Sequence, residues 1–505
     1  MKYVLTAAQM READRFTMEN LGVPSLQLME RAGTALFAQA IALAPTGKIL
    51  LVAGGGNNGG DGFVAGRKLL LAGREVDAVL LSNHCTQECE INLSEYLMNG
   101  GTLYDEIPEK DYVLVLDCLF GTGYSYREDE RVETVIRKVN ALKRRGAKIL
   151  SADLPSGVNG ENGLVEGVAV DADVTLCIGE IKTGALLGDG MDFSGMLVRA
   201  DIGIVLPAFD ENGNGYAHVL EDDEISSLIL PRKHNSHKGT YGRATIVGGS
   251  EKYTGAAYLS TAAALRSGAG YTCLYTPANL LPLYALKLPE VLLSPLNEGG
   301  RVAFNEESYA QIPHGAVAYG MGMETQESVA IGAEYLISHH VGTLILDADA
   351  LNSLAEYSFD RFDEIFSKKT CDIVITPHVK EFARLLRTDV KTVLSSGFSL
   401  AEEFAKRYGV TVLLKGAATI ITDGTRTAIN VTGTAGQAKG GSGDVLSGAI
   451  AGLCASMLSA YDGACAAAFL CGRAAEIATA DIGEYSLTPT DVIAYMGRAF
   501  LSIRD

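Results

Sequence analysis

One passage in the second half of the chain combines a glycine-rich loop with a single carboxylate. It runs from Ala438 to Gly448 and reads AKGGSGDVLSG, so that glycines lead directly into a predicted helix. Backbone N–H groups exposed at the start of a helix form an anion site suited to phosphate. Asp444, in the first turn of that helix, could accept a proton from a hydroxyl that attacks a phosphoryl group. The alternative is an aspartate that only favours the helix dipole.

Other polar residues of the second half follow predicted strands. Lys415, in LKGAAT, would contact a phosphate or remain a solvated loop lysine, and His378, in TPHVKE, lies where histidines are as often structural as functional. The segment DADALN places Asp347, Asp349 and Asn352 at a further strand end, where they would meet a nucleotide or magnesium-bound water. The chain contains no GKS or GKT, which excludes P-loop chemistry.

A second glycine loop, VAGGGNNGGDG, lies in the first half between a predicted strand and a predicted helix. Its Gly54-x-Gly56-x-x-Gly59 spacing fits the dinucleotide-binding template. That template also requires an acidic residue at the end of the next strand, but EVDAVLL is followed by SNHC. The polar residues within the loop also differ from those of a hydride-transfer site, which argues against a dehydrogenase.

Two further strand ends of the first half carry oxygen-bearing side chains. YVLVLDCLFGTG places Asp117 at one strand end, and KILSADLPSG places Asp153 and Ser156 at another. The carboxyl ends of parallel strands meet in one crevice, where ligands bind. Asn58, Asp117 and Ser156 are hard oxygen donors suited to a hard cation, whereas Asp153 could perform acid–base chemistry. For any single aspartate, a turn or a helix cap is an equally good interpretation.

Short apolar strands alternating with helical segments must position these residues in both halves. Near-continuous hydrophobicity in such strands predicts parallel sheets covered on both faces, and therefore an α/β fold. The first half reads as a Rossmann-like, doubly wound domain, with Thr6 capping a first helix and Pro24 near the first turn of a second. The pattern breaks near LPAFDENGNGYAHVLEDDE, so we predict domains at 1–208 and 223–505 with a linker at 209–222. A chain of 505 residues has room for two or three domains.

Charge and composition limit the partners. The net charge of −19 argues against nucleic acid and anionic membranes as partners. No stretch reaches the roughly 18 apolar residues of a membrane span, and MKYVLTAAQMREADRF lacks a signal-peptide core. Nine scattered cysteines, mostly in apolar runs, predict buried reduced thiols in a cytoplasmic protein rather than a zinc site.

The motifs of the first half resemble a known family. GGGNNGGDG, DCLFGTG and DLPSG, with LMERAG upstream, resemble the N-terminal epimerase domain of the bifunctional NAD(P)H-hydrate repair enzymes over about residues 1–208. That domain interconverts the R and S forms of NAD(P)H that carry water on the nicotinamide ring. The resemblance implies a potassium ion held by Asn58, Asp117 and Ser156. It also implies substrate contacts from Asn57, Asn58, Gly59, Gly60, Asp61, Gly121, Thr122, Gly123, Tyr124, Ser125, Tyr126, Arg127 and Asp153.

The second half resembles the ribokinase-like superfamily through GGSGD, KGAAT and DADALN. KHNSHKGTYGRATIVGGS, TGAAYL, SGAGY, TPH and KGGSGDVLSG narrow this to the ADP/ATP-dependent NAD(P)H-hydrate dehydratases, over about 225–500. The implied hydrate-binding residues are Ala256, Gly322, His378 and Asp444. The implied nucleotide-binding residues are Lys415, Gly416, Ala417, Ala418, Thr419 and Gly443. The chain departs from the family's GPG and TPHPGE, having GMG at 320–322 and TPHVKE at 376–381.

The two resemblances together imply metabolite repair. The first domain would equilibrate the epimers with Asp153 as its catalytic residue, and the second would dehydrate the S form with Asp444. Potassium would serve the epimerase, and magnesium with ADP or ATP, preferentially ADP, would serve the dehydratase. We expect a homo-oligomer. The alternatives are a ribokinase-like small-molecule kinase with a non-catalytic nucleotide-binding N-terminal domain, and a nucleotide-binding scaffold.

Overall fold

The computed structural model describes residues 2–207, 215–456 and 458–504. It divides into two compact units, of which the first ends at Tyr216 and the second begins at Ala217. Part of the predicted linker 209–222 is therefore regular structure of the second unit, because Ala217–Val219 form a strand. The Asn- and Gly-rich part that suggested a linker, 208–214, lies outside the described residues.

The first unit contains a seven-stranded parallel sheet with helices on both faces. Its elements are β1 (Lys2–Leu5), α1 (Ala7–Glu19), α2 (Ser25–Leu43), β2 (Ile49–Ala53), α3 (Asn57–Leu71), β3 (Val76–Leu80), α4 (Gln87–Met98), β4 (Thr102–Tyr104), β5 (Leu114–Cys118), α5 (Glu130–Arg144), β6 (Lys148–Ala152), β7 (Val174–Ile178), β8 (Ile181–Lys182), α6 (Thr183–Leu186), α7 (Gly190–Phe193) and β9 (Met196–Ala200). The strand order is β4-β3-β2-β5-β6-β7-β9, while β1 and β8 pair with each other in parallel. The predicted doubly wound architecture is confirmed.

Local sequence explains where the first helices begin. Thr6 caps α1 by accepting from the Gln9 N–H, and the Gln9 side chain accepts in return from the Thr6 N–H. This reciprocal capping box satisfies two N–H groups that a helix start leaves free. Pro24 occupies the position just before α2, where its missing N–H costs nothing. Both predicted helix starts are confirmed.

The strand order creates a crevice at the carboxyl end of β2. Strand β2 pairs with β3 on one side and with β5 on the other. Successive strands are therefore added first on one side of β2 and then on the other, so the strand order reverses at β2. Ligands bind at such switch points in open α/β sheets. The loops after β2, β5 and β6 start at Gly54, Leu119 and Asp153, so the topology brings together the three loops that the sequence identified.

The second unit contains a longer sheet in which most neighbouring strands are parallel. Its elements are β10 (Ala217–Val219), α8 (Asp222–Leu228), β11 (Arg243–Val247), α9 (Thr254–Arg266), β12 (Tyr271–Thr276), α10 (Leu281–Lys287), β13 (Leu292–Pro295), α11 (Glu306–Ala310), β14 (Gly315–Tyr319), α12 (Glu327–His339), β15 (Gly342–Leu346), α13 (Asp349–Tyr357), α14 (Phe362–Ser367), β16 (Asp372–Ile375), α15 (Val379–Leu385), α16 (Val390–Tyr408), β17 (Thr411–Leu414), β18 (Thr419–Thr422), β19 (Thr427–Asn430), α17 (Ser442–Ala455), α18 (Ala460–Ile482) and α19 (Pro489–Ser502).

Its strands run in the order β13-β12-β11-β14-β15-β16-β17-β18-β19-β10. Pairing is parallel from β13 to β17, and then β17, β18 and β19 form an antiparallel meander. The turn between β17 and β18 contains 415–418, so the meander carries the predicted nucleotide segment. Helices α17 and α18 pack their small side chains into a continuous core. Within 2–207, 215–456 and 458–504, no helix is long and apolar enough to cross a membrane.

Candidate active sites

The glycine loop after β2 is shaped by close backbone approach. A Cβ atom at Gly54 would overlap the carbonyl oxygen of Leu119, and one at Gly59 would overlap the carbonyl oxygen of Gly54. Gly60 packs against the Met29 side chain, and its N–H donates to the Gly56 carbonyl. These contacts explain why the loop needs glycine at Gly54 and Gly59.

The crevice beside this loop is a cavity of about 590 Å³, which we call the first cavity. It is lined by Met10, Arg11, Asp14, Gly54, Gly55, Gly56, Asn57, Asn58, Asp61, Leu81, Ser82, Thr86, Leu119, Phe120, Gly121, Thr122, Gly123, Tyr124, Asp153, Ile178, Lys182 and Ile204. Eight of the thirteen predicted substrate contacts are therefore together. The lining of this cavity, within the described part of the chain, does not include Gly59, Gly60, Ser125, Tyr126 or Arg127. The two glycines are buried in packing, and the last three side chains are exposed further along the loop.

Asp153 is held in a constrained position at the end of β6. Its φ angle is +69°, which L residues adopt at a cost of about 1–3 kcal/mol. One carboxylate oxygen pairs with the Lys182 ammonium, and the other accepts from the Thr122 N–H at 3.2 Å. The Lys182 side chain is only 1% exposed and also donates to the Ile178 carbonyl. Lys182 was not predicted from the sequence, where its only signal is a lysine between the apolar runs of TLCIGEIKTGALL.

Two more carboxyl groups line the same cavity. Burial raises the pKa of Asp14 to about 6; Lys182 opposes this rise and Asp153 adds to it. Burial, with Asp153 and Asp14 nearby, raises the pKa of Asp61 well above its usual range. The first cavity thus places two carboxyl groups beside a lysine-paired carboxylate: Asp61, whose burial favours the protonated form, and Asp14, whose raised pKa lies close to neutral pH. Such a set can both donate and accept protons.

The predicted cation ligands form one hydrogen-bonded cluster beside the first cavity, of which only Asn58 lines the cavity itself. Asp117 is buried and accepts from the Ser151 hydroxyl at 2.8 Å, the Ser156 N–H at 2.9 Å and the Ser156 hydroxyl at 2.6 Å. The Asn58 amide donates to the Phe120 carbonyl at 2.9 Å. Its own oxygen, Oδ1, is buried and has no hydrogen-bond partner among the described residues. A buried unpaired oxygen is costly unless a cation or water satisfies it, so this set of oxygen atoms fits a potassium ion.

The second unit places Asp444 beside a separate cavity. Helix α17 begins after Gly441, and Asp444 lies in its first turn. Burial raises the pKa of Asp444 to about 7, with Asp347 adding to the rise and Lys415 opposing it. The cavity has a volume of about 500 Å³, and we call it the second cavity. It is lined by Lys252, Tyr253, Ala256, Gly322, Glu324, Thr325, Asp349 and Asp444.

Lys415 and Gly443 lie together next to Asp444. A Cβ atom at Gly443 would lie 3.3 Å from the Lys415 ammonium, so this glycine leaves room for the side chain. Lys415 donates to Asp347 at 2.9 Å and lies 3.9 Å from Glu381. Burial lowers the pKa of Lys415, but these two carboxylates more than offset it and the net shift is upward. The positive charge is therefore kept at the start of α17.

The remaining predicted nucleotide residues form the β17–β18 turn. Gly416 and Ala417 are exposed, whereas Ala418 is buried. The Thr419 hydroxyl donates to the Gly416 carbonyl at 3.4 Å. The turn therefore offers exposed backbone beside Lys415.

His378 belongs to a helix start rather than to the second cavity. Its Nδ1 accepts from the N–H groups of Lys380 and Glu381, and the Glu381 carboxylate accepts from the His378 N–H at 2.9 Å. The sequence TPHVKE, which stands where the family has TPHPGE, thus preserves the capping box of α15. Burial and nearby Lys415 and Arg384 lower the pKa of His378, which favours the neutral ring. The ring is half-exposed and adjacent to Lys415, not among the residues that line the second cavity.

Three aspartate and asparagine residues of DADALN have different surroundings. Asp347 is buried with both oxygens engaged, Asp349 lines the second cavity, and Asn352 accepts from the Arg384 guanidinium at 2.7 Å. The sequence GMG at 320–322 stands where the family has GPG. Its Met321 is fully buried and Gly322 has a φ of +67°, and Gly322 still lines the second cavity.

Several residues of the second site were not predicted from the sequence, because their role depends on tertiary contacts. Four lie outside the quoted motifs, and two, Glu381 and Ser447, lie within motifs but were not singled out. They are Lys252, Tyr253, Glu324, Thr325, Glu381 and Ser447.

Comparison with known proteins matches both units. A family model described as NAD(P)H-hydrate dehydratase matches residues 244–498, and one described as YjeF-related protein N-terminus matches residues 25–184. The bifunctional NAD(P)H-hydrate repair enzyme of Thermofilum pendens is 33% identical over 523 residues, which covers 99% of this chain and 97% of the relative. The enzyme of that name from Escherichia coli K12 is 32% identical over 501 residues, covering 97% and 93%.

A solved structure is similar to the second unit. It is the ADP/ATP-dependent NAD(P)H-hydrate dehydratase from Bacillus subtilis, co-crystallised with ATP and Mg²⁺. It aligns with a TM-score of 0.51 at 27% identity and covers 57% of this chain and 99% of its own. Since the curated relatives match nearly from end to end, the chain belongs to the family of bifunctional NAD(P)H-hydrate repair enzymes.

Proposed function

We propose that this chain catalyses two consecutive reactions on hydrated NAD(P)H. The first unit interconverts the R and S epimers, and the second uses ADP or ATP to dehydrate the S epimer to NAD(P)H. The observation that carries this proposal is the position of Asp444. It lines a cavity with Ala256 and Gly322, and it lies beside Lys415 at a glycine-led helix start.

The epimerase step needs proton transfer at the ring hydroxyl. Hydration of an enamine-type ring double bond puts this hydroxyl on the carbon bonded to the ring nitrogen. Once protonated, the hydroxyl leaves as water and takes the C–O electron pair. The ring nitrogen stabilises the positive charge that this leaves on the ring carbon. Water then returns to either face and gives up a proton. Asp153 is the proposed proton carrier. Protonated Asp61 supplies a donor in the same cavity, and Asp14, with a pKa of about 6, can exchange a proton near neutral pH.

A potassium ion would be held by Asn58, Asp117 and Ser156. When bound, it would supply positive charge that stabilises loop oxygens and an anionic substrate. Asn58 donates to Phe120, and this bond keeps its free oxygen turned toward the cluster. Asp117 and the Ser156 hydroxyl fix the loops after β5 and β6 relative to each other.

The dehydratase step begins with phosphoryl transfer. Asp444 accepts the proton of the ring hydroxyl while the hydroxyl oxygen attacks the terminal phosphorus of the magnesium nucleotide. AMP leaves if the nucleotide is ADP, and ADP leaves if it is ATP. The phosphate then departs with the C–O electron pair, and a proton is lost from the neighbouring ring carbon, which restores NAD(P)H. A pKa of about 7 suits a base that works near neutral pH, and Lys415 neutralises phosphoryl charge.

The test uses a mixture of R- and S-hydrated NADH with ADP or ATP and follows the return of NADH absorbance. We expect the wild-type chain to consume both epimers, with ADP as the better co-substrate. Asp444→Ala should abolish recovery but still interconvert the epimers, which chromatography resolves. Asp153→Ala should recover the S epimer and then proceed only at the rate of uncatalysed epimerisation.

Asp491→Ala and Asp171→Ala are matched controls, because these aspartates lie in the second and first units and do not line either cavity. Both should repair the mixture like wild type. Consumption of nucleotide without NADH recovery would refute the proposal and favour a small-molecule kinase. Loss of both activities in folded Asp444→Ala would contradict the division between the units.

The cellular setting is part of the same proposal. All nine cysteines are free and eight are buried, which is compatible with a reducing cytoplasm. Assembly into a homo-oligomer stays a prediction, which sedimentation of the full chain would test.

A further inference from the structure

We infer that Asp347 is a positioning residue of the dehydratase site, fixing the Lys415 ammonium against the start of α17 where the phosphoryl group is transferred. The inference rests on the proposed function of the second unit. It concerns a residue that contacts neither cavity, since Asp347 is 1% exposed at the end of β15. Asp347 therefore acts through the two side chains that it holds.

Both carboxylate oxygens of Asp347 have specific partners. Oδ1 accepts from the Lys415 ammonium at 2.9 Å, and Oδ2 accepts from the Ser447 hydroxyl at 2.7 Å. Ser447 is fully buried and lies three residues after Asp444 in α17. One carboxylate thus links the lysine of the β17–β18 turn to the helix that carries the catalytic aspartate.

The lysine is otherwise poorly restrained. Its next carboxylate partner, Glu381, is at 3.9 Å and is itself bonded to the His378 N–H. Gly443 leaves space beside the ammonium and makes no side-chain contact with it. A long flexible lysine keeps one geometry only where a charged acceptor fixes it. Without Asp347, we expect the ammonium to leave the phosphoryl site.

Asp347 and Lys415 also act on Asp444 with opposite sign. Asp347 raises the pKa of Asp444 and Lys415 lowers it. The ionisable groups that face Asp444 from neighbouring elements and across the second cavity are Asp347, Asp349, Lys415, Lys252, Tyr253 and Glu324. Removing the negative charge of Asp347 and removing the positive charge of Lys415 should therefore move the pH profile in opposite directions.

The test compares Asp347→Asn with Lys415→Met in the full-length chain, using S-hydrated NADH. For Asp347→Asn we expect the KM for ADP to rise about tenfold, as for the loss of a charge-assisted hydrogen bond. We also expect the acid limb of kcat/KM, set by the pKa of Asp444, to move to lower pH. The displaced ammonium partly offsets this shift, but Asp347 has the larger influence on that pKa, so the net direction is downward. Lys415→Met should raise the KM for ADP and move the acid limb to higher pH.

Ser447→Ala provides a milder variant, because it removes one hydrogen bond and no charge. It should raise the KM for ADP severalfold while the acid limb stays in place. Epimer interconversion by the first unit, unchanged in all three variants, serves as the internal control for an intact chain. If Asp347→Asn does not fold, the Ser447→Ala result decides: an unchanged KM for ADP overturns the inference.

Other outcomes separate this inference from the proposed function. A wild-type chain that recovers no NADH refutes the proposed function itself. Suppose that the wild type is active and that Asp347→Asn lowers only kcat. If the KM for ADP and the acid limb of the variant are then unchanged, Asp347 is merely structural and the inference is overturned. Acid limbs that move in the same direction in Asp347→Asn and Lys415→Met overturn it as well.

Discussion

Replacement of Asp444 by asparagine should stabilise the second unit while it abolishes dehydration. Burial raises the pKa of Asp444 from its ordinary value of 3.8 to about 7, so the folded state disfavours the ionised form. A difference of about 3 pH units corresponds to about 4 kcal/mol in the free energy of unfolding once Asp444 is ionised. The substitution also removes a favourable interaction with the helix dipole, worth about 0.3–1 kcal/mol. We therefore expect a net gain of about 3 kcal/mol at pH 8.

The gain in the free energy of unfolding from Asp444→Asn must increase with pH. Since the folded-state pKa is raised, the protonated group is tolerated below pH 4. The wild type loses stability as the pH rises from about 4 through about 7. Asparagine does not ionise, so the difference between variant and wild type should be near zero at pH 4 and should reach its maximum above pH 7.

Scanning calorimetry at several pH values measures this difference. The transition of the second unit is the one whose midpoint rises with added nucleotide, because only ligand binding to the folded state stabilises it. Asp491→Asn is the matched control. Asp491 lies at the equivalent position of the first turn of α19, and its carboxylate accepts from the Thr488 N–H at 2.8 Å. This control should be neutral or destabilising at every pH.

Two results would refute the reasoning. One is Asp444→Asn with no greater stability than wild type at pH 8. The other is a gain that is equal at pH 5 and pH 8, because such a gain could not come from ionisation of the carboxylate. A gain that grows with pH, together with loss of dehydration, would show that the aspartate is retained for chemistry at a cost in stability.

Three further predictions concern the two sites. Because Asp444 must be ionised to act as a base, the dehydration rate should fall about tenfold from pH 8 to pH 6, measured as NADH recovery from the S epimer. Asn58→Ala should abolish any response of epimerisation to added potassium, whereas sodium substituted for potassium in the wild type should lower the rate. Gly59→Ala should destabilise the first unit by several kcal/mol, because its Cβ would overlap the Gly54 carbonyl, whereas Gly56→Ala should be tolerated because no atom lies within 4 Å. Thermal unfolding of both glycine variants checks the last prediction.

Much of the fold could be predicted because its signals are local. Apolar runs such as ILLVA, fully buried in β2, indicate parallel strands, and Thr6 with Gln9 indicates a helix start. The chemical motifs also lie within continuous segments: Asp153 follows β6 and Asp444 follows a run of glycines. In parallel sheets such strand ends converge, so the sequence predicted the crevice without knowledge of the contacts.

The tertiary structure alone decided which charges meet. Lys415 and Asp347 are 68 residues apart, and Asp347 and Ser447 are 100 residues apart, yet they form one buried network. Lys182 reaches Asp153 because the short strand β8 returns to the edge of the cavity. The strained φ of Asp153 and the raised pKa values of Asp14 and Asp444 arise from burial and from charges supplied by distant segments. Residue type and spacing therefore predicted the candidate reactive groups, whereas their protonation and orientation depend on strand order and packing, which no local sequence pattern contains.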